Sequence, residues 1–435
     1  MDEHYANLEW VAKVRRTDLA ALVAKTNAAI DSATSVSAAQ KAIADFLSAM
    51  GDGHLEIDWP EPPGTATTPP GSLCARLGYR ERRLSPGLQF QLLASTSPVA
   101  GSTDRYFPVQ SLNLADGSRI GILRIGVFSA QWYPELCTAA LEQLHLSEHA
   151  ACNDACADRV QIAAENELTS KLSAAILALK GTPSLRAVAV DLTGNGGGSD
   201  WEEPAARELT AAPLNSPRVG FVKHDHWQKQ FEDDLASIHA DLPKASGSYR
   251  QLLLHAERTY SDLLALSKQH CDQSALWLDK PLNCTIVGQG DLYTTGTLSY
   301  ARPNSLPRVD SAQYIFYPSL YTYQEGVYNG PLYLIVDSHT ASAAERFAAM
   351  FQDAKAARIV GVPTFGAGFG FTNGGIPTQL HHSNATVGMT DCVQFRADGS
   401  NAVAGITPDV LIPWHPNDNP YQRAMRAFAT LAALH

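Results

Sequence analysis

Two short runs of this chain are apolar without alternation. "AVAVDL" (residues 187–192) passes straight into "TGNGGGSD", and "YLIV" (residues 333–336) passes into "DSHTAS". A strand with one wet face alternates apolar and polar side chains, so an unbroken run of this length implies burial on both faces. Such strands sit in sheets covered on both sides, with helical crossovers between parallel neighbours. Strand signals at residues 119–128, "RIGILRIGVF", and at 358–362 accompany helical stretches at 134–179, interrupted near Cys152 and Cys156, and after Ser342. The expectation is a mixed α/β sheet.

A chain of 435 residues exceeds one ordinary core, so smaller modules should be attached to it. Residues 8–50 carry Ala, Leu and Lys at helical spacing, which predicts a small helical N-terminal module over residues 1–65 that ends in "GDGHLEIDW". Proline-rich "PEPPGTATTPPGSL" leads into a linker and variable region, residues 66–118. The core is then expected over residues 119–435. Within it, residues 205–325 show no single periodicity and read as an insertion or lid.

Lys and Arg number 33 against 44 Asp and Glu, giving a net charge of −11, and no basic run tracks a phosphate backbone. Nucleic acid is therefore not an expected partner. No run of about 18 apolar residues occurs, so no membrane span is expected. The opening "MDEHYANLEWVAKVRR" lacks the pattern of a secretory signal, which implies a cytoplasmic protein, or a periplasmic or secreted one whose leader has been removed. Of the seven cysteines, Cys271 with Cys284 and Cys152 with Cys156 are close enough to pair, which would suit an oxidising compartment. Scattered thiols in a cytosolic enzyme is the competing reading. Nothing in these patterns encodes an oligomeric state.

The candidate site lies where the two buried runs end. Gly194-Asn195-Gly196-Gly197-Gly198 follows the first, and without side chains its amides can approach a ligand oxygen closely. Ser342 follows the second, with the amide of Ala343 at the start of the next helix. Gly196, Gly197 and Ala343 would then form an oxyanion hole beside a serine nucleophile. Either half alone has an ordinary explanation, since glycines make turns and serines cap helices.

In combination these pieces resemble the C-terminal processing (tail-specific) serine peptidase family, which includes the tricorn protease core. The resemblance rests on "RIGILRIGVF", "AVAVDLTGNGGG", "LYLIVDSHTASAAERFAAMFQDAKAARIVGVPTFGAG" and "AGITPDV", in the family's order. It implies a crotonase/ClpP-like spiral α/β core, peptide or protein substrates, no cofactor or metal, and Ser342 as nucleophile. It places Glu345, Asp353 and Thr364 at positions the family keeps polar around the site. The family's usual PDZ module is not evident in residues 75–118.

One departure from the family concerns the base. The processing peptidases carry a lysine in a "TFGKG" motif, where this chain has Ala367 in "TFGAG". The tricorn-like branch instead supplies a histidine from a "DGH" segment, matched here by Asp52-Gly53-His54. An imidazole can take the serine proton and return it to the leaving amine. The branch's supporting glutamate falls at Ala402, a second departure. Glu56, expected on the same strand face as His54, Asp391, Asp398, Asn401 or a backbone carbonyl are the candidate replacements.

The resulting expectation is a serine endopeptidase working through an acyl-enzyme. The alternatives are a non-catalytic binding protein on the same fold, or an acyl hydrolase or cyclase with a non-peptide substrate. Other motifs compete with these. His145-Leu146-Ser147-Glu148-His149 matches the H-x-x-E-H zinc pattern, with Cys152 and Cys156 continuing a helical face. "KHDHW" at residues 223–227 reads as a polar loop, because neighbouring side chains point different ways. His339 is an alternative base, though three residues before Ser342 on a turn it should point away.

Overall fold

The computed structural model describes residues 1–60, 71–100, 105–367 and 378–434. Its centre is a seven-stranded sheet of Thr96–Pro98 (β1), Val109–Asn113 (β2), Arg119–Arg124 (β3), Leu185–Asp191 (β4), Leu332–Val336 (β5), Arg358–Gly361 (β6) and Val410–Leu411 (β7). The spatial order is β7-β6-β5-β4-β3-β2-β1. Strands β3 to β7 pair in parallel, while β1 and β2 extend the sheet antiparallel. The helices that follow β3 and β5 pack into one core, so these crossovers lie on one face of the sheet.

Side-chain alternation splits the sheet between two cores. Val188, Val190, Leu334 and Val336 pack with residues of the helices Pro134–Gln143, Asp154–Lys180 and Ala343–Asp353. Ala187, Ala189, Tyr333 and Ile335 face the other way, against Ala424, Ala427 and Leu431 of the C-terminal helix Pro420–Ala433. Both faces are buried, as the unbroken apolar runs require. The expected mixed α/β architecture with a central, mostly parallel sheet is what the chain forms.

Two boundaries differ from the sequence expectation. Strands β1 and β2 fall within residues 66–118, so part of that region is sheet edge; three and five residues are too few to show a period. The segment 205–325 has a core of its own, built on the helices Asp225–Asp241 and Gly247–Ser267 and the strands Arg218–Val222 and Val287–Tyr293. Its anchors Trp227, Phe231, Leu235 and Ile238 recur at helical spacing, but charged neighbours dilute the signal. Strand Cys392–Phe395 pairs with Arg218–Val222 and ties this unit to the C-terminal part.

The N-terminal part carries the helices Leu8–Lys13, Leu19–Asp31 and Val36–Met50. Tyr5, Leu8, Val11, Leu47, Met50 and Leu55 share a core with Leu276, Val387 and Met389. Just beyond it, strand Glu56–Asp58 pairs antiparallel with Thr386–Gly388. The module is thus docked on both the insertion and the C-terminal part. Both expected disulfides are present, together with Cys74–Cys137, and the seventh cysteine, Cys392, is buried. Most of the proline-rich linker, residues 61–70, lies outside the described residues. Among the described residues, no helix is long and apolar enough to cross a membrane.

Candidate active site

The ends of β4 and β5 are stitched together by their loops. Asp337 Oδ1 accepts from the amides of Gly194 (2.8 Å) and His339 (3.1 Å). The Thr340 hydroxyl donates to Leu192 O at 3.0 Å, and the Ala341 amide donates to Asn195 O at 3.0 Å. This brings the glycine loop against Ser342. A Cβ on Gly197 would stand 2.8 Å from Ser342 Cβ and 2.9 Å from the Ala343 amide nitrogen, and Gly197 has φ +102°. No other residue fits that position without strain.

Ser342 stands at the N-cap of the helix Ala343–Asp353 and forms a capping box with Glu345, yet its backbone differs from that of the other capping serines. Ser35 and Ser72, which cap other helices here, are extended (φ −150°, ψ 156° and φ −100°, ψ 159°). Ser342 has φ +54° and ψ −125°. A serine pays for that conformation only where its surroundings enforce it, as at the sharp strand-to-helix turns that present nucleophiles.

Glu345 supplies much of the enforcement. Its Oε2 accepts from the amides of Ser342 (3.0 Å) and Ala367 (2.8 Å), and its Oε1 from the Gly366 amide (2.7 Å) and the Thr364 hydroxyl. Burial pushes this carboxyl up, against the pull of those donors. Phe365 N donates to Thr340 O at 3.0 Å, so residues 364–367 are fastened to the serine's loop twice.

The DGH turn lies on this same segment. A Cβ on Gly53 would stand 2.1 Å from Phe365 Cε1 and 3.1 Å from Ala367 Cβ. Asp52 is buried, and its Oδ1 accepts from the His54 amide at 3.0 Å. Its Oδ2 accepts from the Tyr5 hydroxyl (3.1 Å), Asn7 Nδ2 (2.8 Å) and the Thr390 hydroxyl (2.8 Å). His54 and Ser342, 288 residues apart, therefore both flank residues 364–367.

A cleft of about 250 Å³ runs along the glycine loop, lined by Leu84, Val127, Trp132, Gly196, Gly197 and Gly198. His339 lines an adjoining opening of about 400 Å³ with Asp337 and Arg423, which shares Ser85 and Gly194 with the cleft, and its side chain is 76% exposed.

Matches to known proteins fit this geometry. A profile of peptidase family S41 matches residues 159–412, more than half of the chain. The chain belongs to peptidase family S41. The S41 fold is also found in the crystal structure of mature CPAF, with a TM-score of 0.59 at 15% identity over 100% of this chain and 94% of that one. Mature CPAF complexed with lactacystin gives a TM-score of 0.60 at 15% identity, covering 100% and 95%. Membership of S41 makes this a serine peptidase in general terms.

Several expected site residues of this S41 chain stand elsewhere. Asp353 ends the helix that Ser342 begins, roughly 16 Å from the serine at 1.5 Å per residue, and forms an ion pair with Arg396. Glu56 is exposed, because the strand starts only at that residue and His54 lies in the turn before it. Asp391 Oδ2 lies 2.9 Å from His226 Nε2, Asp398 sits in an exposed turn, and Asn401 Nδ2 donates to Asn7 Oδ1 at 2.8 Å. The Gly197 amide donates to Asn195 Oδ1 at 2.9 Å, so that donor is engaged within its own loop. Gly196 borders open space.

The zinc pattern is not assembled. His145, Glu148 and His149 are exposed in a turn beyond the helix end, and Cys152 and Cys156 are joined to each other.

Sequence reasoning passed over several residues that hold the site. Arg346, on the serine's helix, pairs with Asp200 and Glu202 just past the glycines. Glu165 accepts from the Ser199 and Tyr321 hydroxyls, and burial raises its carboxyl to about 7. An arginine and a glutamate on otherwise apolar helix faces were the available signal.

Proposed function

We propose that this chain is a serine endopeptidase that cuts peptide bonds through an acyl-enzyme on Ser342, with His54 as general base. The observation that carries the reading is the left-handed backbone of Ser342, held against Gly197 by Glu345. Ser342 Oγ attacks the scissile carbonyl carbon while its proton passes to His54. The oxyanion gathers at the Ala343 amide and the glycine loop, each donor contributing about 3 kcal/mol. Collapse breaks the C–N bond, and His54 returns the proton to the departing amine. Water activated by the same imidazole then releases the acyl group.

Ala367, buried under the DGH turn, occupies the position of the family's lysine. Its methyl group accepts no proton, which supports histidine as the base. The apolar wall formed by Leu84, Val127 and Trp132 suits an apolar substrate side chain.

Cleavage of an unfolded protein substrate, followed by mass spectrometry of the products, tests the proposal. Ser342→Ala and His54→Ala should each lower the rate at least a thousandfold with unchanged circular dichroism. Wild-type-like cleavage by His54→Ala removes the histidine from the mechanism, and folded wild type that cuts nothing favours the binding-protein alternative.

A further inference from the structure

Away from the serine, three imidazoles stand in a row where the start of the chain meets the insertion. His4 Nε2 is 3.0 Å from His224 Nε2, and His224 Nδ1 is 3.2 Å from His226 Nδ1. The row is closed by Thr378 Oγ1, 3.2 Å from His4 Nδ1, and by Asp391 Oδ2, 2.9 Å from His226 Nε2. A Glu3 carboxylate oxygen lies within 4.8 Å of ligand nitrogens on His4 and His224. The expectation of a polar loop at residues 223–227 fails here. His224 occupies the position just before the helix Asp225–Asp241, and its ring and that of His226 lie side by side, 5.3 Å between centroids.

The hydrogen-bond inventory constrains this row. Asp391 Oδ2 stands 2.9 Å from His226 Nε2 but out of line for a hydrogen bond. Of the facing Nδ1 atoms of His224 and His226, one carries the proton and the other accepts it. In the tautomer where His224 Nδ1–H donates, His224 Nε2 is a bare lone pair aimed at His4. If His4 in turn gives its Nδ1–H to Thr378, two lone pairs converge beside a carboxylate, with each ring's far nitrogen fixed as metal-bound histidines have it.

We infer that Glu3, His4 and His224 form a binding site for a divalent transition-metal cation of the zinc class. Two nitrogens bound to zinc at about 2.0–2.1 Å in a tetrahedron sit about 3.3 Å apart, so the observed 3.0 Å needs a shift of only a few tenths of an ångström. Two imidazoles and a carboxylate leave a fourth position for water. Imidazole-rich sets select zinc, copper and nickel over magnesium and calcium. Bound metal would clamp the first residues of the N-terminal module to the inserted unit.

Isothermal titration of the purified chain, stripped with chelator and titrated with zinc chloride, reads the site directly. One equivalent should bind, and it should raise the thermal midpoint of the wild type. Glu3→Gln, at an exposed position, should weaken binding at least threefold, and His224→Ala at least tenfold, while His149→Ala should leave it unchanged. The proposal is overturned if the wild type binds no zinc, since the row would then be a plain hydrogen-bonded chain. It is equally overturned if binding survives in both Glu3→Gln and His224→Ala, or is lost in His149→Ala. Should His224→Ala fail to fold, the wild-type and Glu3→Gln titrations still decide. None of these readouts depends on peptide cleavage.

Discussion

Gly197 and Glu345 both hold Ser342 in place, and each makes a sharp prediction. In Gly197→Ala the added methyl would meet Ser342 Cβ at 2.8 Å and Ala341 O at 2.9 Å on a backbone already at φ +102°. Peptidase activity should fall at least a hundredfold, as measured by initial rates on folded protein; wild-type rates would show that the glycine does not shape the site. Glu345→Ala removes the acceptor of three amides and a hydroxyl, and hydrogen bonds to a charged group contribute about 1.5–3 kcal/mol each. It should lower the thermal midpoint and the rate together, and a loss in only one would separate structure from catalysis. At this scale the sequence was informative where a motif is local. Ser342, the glycines and the DGH turn could all be read because each needs only its neighbours. Asp52 as a hub could not, because its partners Tyr5, Asn7 and Thr390 are distant along the chain.

Among the elements, the turn at residues 52–54 does the most with the least. It follows the helix Val36–Met50, whose chain reverses at Gly51 with φ +69°, and it reaches the site because that helix docks through Leu47 and Met50. Asp52→Ala leaves the Tyr5, Asn7 and Thr390 donors without this acceptor and should cost about 3 kcal/mol in urea unfolding. Loss of activity is expected even where the variant stays folded, and an unaffected rate would show that the turn holds itself. The buried strands were evident in the sequence because double burial leaves an unbroken apolar signature. The insertion's helices and strands β1 and β2 were not, since half-buried faces and strands of three and five residues carry little pattern. The Cys74–Cys137 bridge, spanning 63 residues, joins the helices Leu73–Arg76 and Pro134–Gln143 and had no local cue. Reduction of all three bridges should lower the thermal midpoint clearly, because one native disulfide typically contributes 2–4 kcal/mol.

Over the whole molecule, buried carboxyls set the response to pH. Loss of hydration raises Glu165, Glu208 and Asp234 each to about 7, against roughly 4 in an unfolded chain. Between those values the folded chain retains protons that the unfolded chain has released. Their stabilisation is therefore complete below about pH 4 and is lost as pH rises through 7. The thermal midpoint should be lower near pH 8 than near pH 5.5, and Asp234→Asn, in the insertion, should shrink the difference. A midpoint that rises steadily over that interval contradicts the assignment. The larger claim is that a histidine from one end of the chain activates a serine near the other, across residues 364–367. Intact-protein mass spectrometry after exposure to a fluorophosphonate probe measures that activation on the serine itself. The account predicts one adduct on wild type, located to Ser342, and none on Ser342→Ala or, over the same time, on folded His54→Ala. Labelling of His54→Ala at the wild-type rate would contradict it.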